Sequence, residues 1–318
     1  MTANFTSGWL GNGESAWHGE GLVTEGTLPA REAFEKADAL FAVEKRNLTY
    51  PIFNSSEEVV NQMLIPQLAM VRTDSNGFLG IVSQQYEIVQ NESLLRMAEF
   101  IREEVDMDSV VVLAGGAKVA FTATIRGAEA DIVPGDTVKR RIVGYLGHDG
   151  KTSVGAIFTN VRVVCCNTLA MAQAEHNKRT LTHKQGVNHE FNSLIQSINV
   201  ARETFTEETE LMKELASRTC TNFREFLEEV YEDQIPEGKQ VDDMRKYKHL
   251  RFAYASGMGA QFAPHSLWNA VNAVTEVETS TLKGTARKRQ SQFAKANFGT
   301  GLFRSQKAMQ VARELLTV

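Results

Sequence analysis

The chain has 318 residues, 42% hydrophobic and 23% charged, a balance that excludes wholesale disorder and is long enough for one large core or two modest ones. No apolar run approaches the roughly 18 residues of a membrane-spanning helix. The net charge of −5 hides segregation: residues 116–184 and 244–318 are basic, with ten Lys/Arg against five Asp/Glu and twelve against three, whereas 1–75 and 203–243 are acidic. Such basic blocks are either solvated faces or, gathered on one surface, a footprint for a phosphate backbone.

The first 28 residues, rich in Gly, Ser and Thr, are expected to form an irregular arm that packs its tryptophans, Trp9 and Trp17, on the body. A short helix is predicted over Pro29–Leu40, with Ala33, Phe34, Ala37 and Leu40 on one face. Strands follow at Val43–Pro51 and Ala69–Thr73. The turn signal Thr73-Asp-Ser-Asn-Gly77 makes a hairpin of Ala69–Arg72 and Phe78–Val82. Asn91 is the expected cap of a helix running to about Glu104. Four strands come next, at Val110–Ala114, Lys118–Ile125, Thr137–Leu146 and Ser153–Val164, with turns at Gly115-Gly116 and His148–Lys151. The last strand is expected to feed a helix over Thr168–Glu175, and an extended piece lies near Thr180–His183. Helical periodicity then runs over Asn188–Glu232, Pro264–Val277 and Ser291–Leu316. The fold class is α+β: residues 1–185 form an antiparallel β-meander packed with helices, and 186–318 a mainly helical region, acidic over 203–243 and basic over 244–318.

Gly150-Lys151-Thr152 has the ending of a phosphate-cradling loop, but Tyr145 stands where the first glycine is required and no helix follows. A hairpin turn fits it better. His176, His183 and His189 lack acidic or cysteine partners at metal spacing. Adjacent Cys165 and Cys166, with Cys220, make no disulfide framework and suit a buried strand in a reducing cytoplasm. Met1–Leu10 lacks the basic start and apolar run of a signal peptide, so a cytoplasmic location is expected. Tyr247, His249 and Arg251 alternate in a basic stretch that fits nucleotide contact or a surface strand.

The strongest chemical lead is the basic hairpin. Lys139, Arg140, Arg141, Lys151 and Arg162 lie on strands that the turn signals make neighbours, and a guanidinium can fork onto phosphate oxygens. Alternation puts Lys139 and Arg141 on one face and Arg140 on the other. Arg287, Lys288 and Arg289, with Lys295, Arg304 and Lys307, form a second basic patch. Tyr145 and Phe158 are stacking or core residues.

Several elements resemble the phage/plasmid-like family of uncharacterised proteins. They are Ala16-Trp-His-Gly-Glu-Gly21, Gly80-Ile-Val-Ser-Gln-Gln-Tyr-Glu-Ile-Val-Gln-Asn91, Gly115-Gly116, Thr159-Asn-Val-Arg-Val-Val-Cys-Cys-Asn-Thr-Leu169 and Leu267–Glu276. His183-Lys184 and Val277 depart from that pattern. At the level of fold, a helix, a basic β-meander and a helical tail resemble phage single-strand annealing proteins, an analogy that implies a role without establishing one. What the resemblance implies is a non-enzymatic recombination protein without a cofactor. It would bind single-stranded DNA and anneal it without ATP, as a homo-oligomeric ring or filament. Its partners would include a phage exonuclease or single-strand-binding protein, and no membrane. The alternative is a phage structural or protein-interaction protein. A nuclease would need clustered carboxylates, and the meander offers Asp136 and Asp149.

Overall fold

The computed structural model describes residues 5–11, 21–162, 167–169, 178–181, 192–257, 259–280 and 300–317. The strands are β1 (Phe5–Leu10), β2 (Leu22–Val23), β3 (Val43–Phe53), β4 (Val59–Arg72), β5 (Phe78–Val82), β6 (Val105–Leu113), β7 (Lys118–Val133), β8 (Asp136–Gly147), β9 (Val154–Arg162), β10 (Asn167–Leu169) and β11 (Lys178–Leu181). The helices are α1 (Ala30–Lys36), α2 (Asn91–Phe100), α3 (Asn192–Ser217), α4 (Phe223–Val230), α5 (Tyr247–Ser256), α6 (Leu267–Ser280) and α7 (Thr300–Glu314).

Tight turns between β-branched runs make sequence neighbours into sheet neighbours. The main sheet has the order β10-β9-β8-β7-β6-β1-β2, with β11 also on β9, and all its pairings are antiparallel except β1 with β2. The β6–β7 reversal uses Gly115 and Gly116 at φ +71° and +106°, which side-chain-bearing residues rarely adopt. A Cβ at Gly116 would also lie 2.8 Å from the Phe41 ring. The β7–β8 turn, Pro134-Gly135, lets β7 run to Val133, past the expected end at Ile125.

One face of this sheet carries the core. Val110, Val112, Phe121, Ile142, Leu146 and Phe158 point into it. Phe34 and Ala33 of α1, Leu94 and Leu95 of α2, and Ile198, Ala201 and Phe205 of α3 belong to the same cluster. The Phe34 and Phe121 rings lie 6.3 Å apart. Burying each such large side chain contributes about 1.5–3 kcal/mol. In the helical region Trp268, Val271 and Val274 of α6 are buried with Ala308, Met309 and Val311 of α7. Trp268 Nε1 donates to Asp136 Oδ2 at 2.8 Å, both residues being fully buried, and so ties α6 to the start of β8.

A second sheet, β3-β4-β5, carries the predicted hairpin, with β4 residues 68–71 paired to β5 across the Asn76-Gly77 turn. Beyond β5 the β3 and β4 strands continue as a two-stranded ribbon, pairing Leu48 with Ile65 through to Phe53 with Val59.

Three expectations change. Asn91 does not cap α2: its amide donates to Phe41 O and its Oδ1 meets His148 Nε2, so a buried bridge takes the place of a cap. Residues 167–169 pair back on β9 as a strand, because ladder hydrogen bonds outweigh the capping preference of Asn167; 170–177 lie outside the described residues. Residues 5–10 are a sheet strand with Trp9 fully buried, in place of an irregular arm; Trp17 lies outside the described residues. The architecture is α+β, an antiparallel sheet packed against helices with a C-terminal helical region.

Candidate nucleic-acid interface

Strand alternation separates the basic residues of β8, and each face neutralises its own. Arg140 projects toward α3 and is fully buried. Its Nη1 lies 2.5 Å from Glu208 Oε2 and 2.9 Å from Asn160 Oδ1, and its Nη2 is 3.3 Å from Thr204 Oγ1. Burial pulls its pKa down and Glu208 pushes back. Arg141, on the opposite face and also buried, holds Asp108 at 2.8 Å from its Nε. Lys139 lies 3.5 Å from Glu129 on β7. Neither arginine therefore presents its charge at the surface, because Glu208 and Asp108 are folded onto them.

The remaining expected site residues that are described do not join Arg140 or Arg141 in one surface. Lys151 is exposed on the β8–β9 turn. Arg162 pairs through its backbone with Val138 and Asn167. Arg287, Lys288, Arg289 and Lys295 lie outside the described residues, as do Cys165, Cys166 and the three histidines 176, 183 and 189. Arg304 is buried, donating to Val230 O and to both carboxylate oxygens of Asp233. Tyr145 and Phe158 are core residues, 7% and 4% exposed, so neither ring is open for stacking.

The Gly150-Lys151-Thr152 loop already holds an anion of its own. Asp149 Oδ1 accepts the Lys151 and Thr152 backbone N–H groups at 2.9 and 2.7 Å, and Oδ2 accepts the Thr152 hydroxyl. In a phosphate-cradling loop such amides face a phosphate and precede a helix; here they close a hairpin between two strands. Burial pushes the Asp149 carboxyl up, but those amides, the Thr152 hydroxyl and nearby Lys118 outweigh it, and the group sits below the usual carboxylate range. Among the described residues no group of three or more His, Cys, Asp or Glu could hold a metal ion.

A cluster of exposed cations lies on and just before α5. Leu250 and Ala253 bury one side of this helix, and the Tyr254 ring stacks on Phe223 with centroids 3.9 Å apart. The opposite side exposes Lys248, His249, Arg251 and Phe252, with Arg245 just before the first turn. At 100° per residue Lys248, His249, Arg251 and Phe252 occupy one continuous arc. Phe252 lies inside it and is 66% exposed. Among the described residues Arg245, Lys248 and Arg251 have no ion pair. Helical spacing, 248/251/252 outside and 250/253/254 inside, is the sequence signal for this surface. The alternation of Tyr247, His249 and Arg251 fits nucleotide contact or a surface strand; the segment is helical, and the period of two obscures its spacing.

Among the described residues no helix is long and apolar enough to cross a membrane. No curated protein and no solved structure matches the chain. Residues 78–311, well over half of the chain, match the family described as "Domain of unknown function (DUF932)", and the protein belongs to that family.

Proposed function

We propose that the protein binds single-stranded DNA and promotes annealing of complementary strands without ATP, as an oligomer. The observation that carries this reading is the α5 surface: three cations without an ion pair among the described residues, arranged around a largely exposed phenylalanine. Single-stranded nucleic acid is the ligand that uses both components. Cations track its phosphates with a steep salt dependence, and an exposed ring stacks on a base of any identity. The buried Arg140 and Arg141 act as struts in this reading, and Lys139 and Lys151 lie outside the main contact. ATP independence accords with the β8–β9 turn, where a carboxylate takes the amides that a nucleotide phosphate would need.

Mobility-shift titration with a single-stranded oligonucleotide tests binding, and quenching of a fluorophore-labelled strand as it pairs with its quencher-bearing complement tests annealing. The triple variant Arg245→Glu/Lys248→Glu/Arg251→Glu is expected to weaken binding and annealing steeply, and Phe252→Ala to weaken binding by about 1–3 kcal/mol. Lys139→Glu/Lys151→Glu is expected to retain binding. Wild-type protein that leaves the oligonucleotide unshifted at low salt would defeat the proposal.

A further inference from the structure

The surface helix α5 is fastened to α6 by two polar clasps, one near each end. The buried Asn269, near the start of α6, donates its Nδ2 to Tyr254 O at 2.8 Å. That carbonyl lies in the last turn of α5, where intrahelical donors run out. Near the other end of α6, Glu278 Oε1 accepts the Lys246 ammonium at 2.7 Å. Nine residues separate Asn269 from Glu278 and eight separate Lys246 from Tyr254, about 13.5 Å and 12 Å at 1.5 Å per residue. The spans match and the pairing runs antiparallel, so α6 sets the direction and register of α5.

The Glu278 clasp has a third member. Its Oε1 also accepts the Tyr231 hydroxyl at 2.8 Å, and Lys246 Nζ lies 4.4 Å from the centroid of the fully buried Tyr231 ring. Burial and Glu278 push the Tyr231 hydroxyl up, so it stays a donor. Lys246 is the residue that starts α5: its carbonyl accepts the His249 and Leu250 N–H groups, both at 3.0 Å. An ammonium at this end of a helix opposes the helix dipole, and the Glu278 carboxylate offsets it. Arg245 precedes Lys246 and Lys248 lies two residues beyond it, so the clasp grips the segment between two exposed cations. We propose that Glu278 is a positioning residue for the α5 surface: acting through Lys246, it fixes the first turn of α5 and with it the places of Arg245 and Lys248. Its effect on binding rests on the nucleic-acid reading of that surface.

Glu278→Gln tests this by the sign of its effect. Glutamine keeps the volume and still accepts the Tyr231 hydroxyl, but it releases the ammonium and removes a negative charge. If Glu278 were only a nearby charge, losing it and freeing Lys246 would tighten binding of a single-stranded oligonucleotide. A positioning residue gives the reverse: binding weakens about tenfold, as the first turn holds the competent geometry about a tenth of the time. Lys246→Met and the double variant are expected to weaken it to about the same extent, because the two residues act as one unit. Binding unchanged or tightened by Glu278→Gln, with wild type bound, overturns the proposal. Hydrogen exchange of the full chain without DNA, followed by mass spectrometry, reads the clasp on its own. Amides of residues 247–252 are expected to exchange about tenfold faster in Glu278→Gln, with those of α3 unchanged. Lys246→Met, 30% exposed at the side chain, reads the same exchange should Glu278→Gln fail to fold. Exchange equal to wild type overturns the proposal whether or not the oligonucleotide binds. Faster exchange beside a wild type that leaves the oligonucleotide unshifted supports the clasp and defeats the nucleic-acid reading.

Discussion

Replacing Arg140 by methionine should unfold the protein far more readily than any surface substitution, and the reason lies in what it leaves behind. The guanidinium is fully buried between β8 and α3, and its charge is met by Glu208, 12% exposed at the side chain. Removing it leaves the carboxylate of Glu208 under the sheet with Asn160 Nδ2, at 2.7 Å, as its remaining donor among the described residues. An uncompensated buried charge of this sort costs about 3–5 kcal/mol, a large part of the total stability of a domain. Removing both charges, as Arg140→Met/Glu208→Leu, should recover most of that loss, since a buried ion pair and an apolar replacement of similar volume are close in free energy. Urea unfolding followed by circular dichroism, with linear extrapolation of the four corners of the cycle, gives the coupling directly. A single Arg140→Met variant within about 1 kcal/mol of wild type would refute the strut assignment. A double variant as unstable as the single would refute it equally.

Three further outcomes follow from close contacts and buried bonds. Gly144→Ala should cost about 1–3 kcal/mol by overpacking, because its Cβ would fall 2.2 Å from Phe121 Cε1; Phe121→Leu in the same chain should recover part of it, and an unchanged urea midpoint would contradict the packing. Asp136→Ala should cost about 1–3 kcal/mol by orphaning the buried Trp268 N–H, with a shift in tryptophan fluorescence; neither change appearing would detach α6 from the sheet account. Asp149, held below the usual carboxylate range, contributes stability that is present above its unfolded value of about 3.9 and is lost as pH falls through its lower folded value. Wild type should therefore lose more stability than Asp149→Asn between about pH 5 and pH 2, and parallel profiles would contradict this.

Local chemistry made most of the sheet legible. Asp74–Gly77, Gly115-Gly116 and His148–Lys151 each signal a reversal through residues suited to turns, and the strands between them fall close to where alternation places them. The distal ribbon was hidden because Asn61-Gln62 and Pro66-Gln67 interrupt the apolar pattern of β4, and the register shift there absorbs Pro66 and Gln67. Thr168 and its neighbours carry helix signals, but residues 167–169 pair with β9, and a tertiary ladder overrides a local cap. The candidate site was the least legible part. Alternation separated Arg140 from Lys139 and Arg141, yet nothing local shows that Glu208, 68 residues away, folds onto one arginine or that Asp108 meets the other. The basic face of α5 was written in the sequence at helical spacing and obscured by a competing period of two.

The salt dependence of oligonucleotide binding tests the central claim most directly, measured for wild type and for Arg245→Glu/Lys248→Glu/Arg251→Glu side by side. If α5 holds the phosphate backbone, wild-type affinity falls steeply with salt. Losing three phosphate contacts then lowers the slope of log affinity against log salt by roughly 2. Equal slopes and affinities for the two proteins, or binding insensitive to salt, would contradict it.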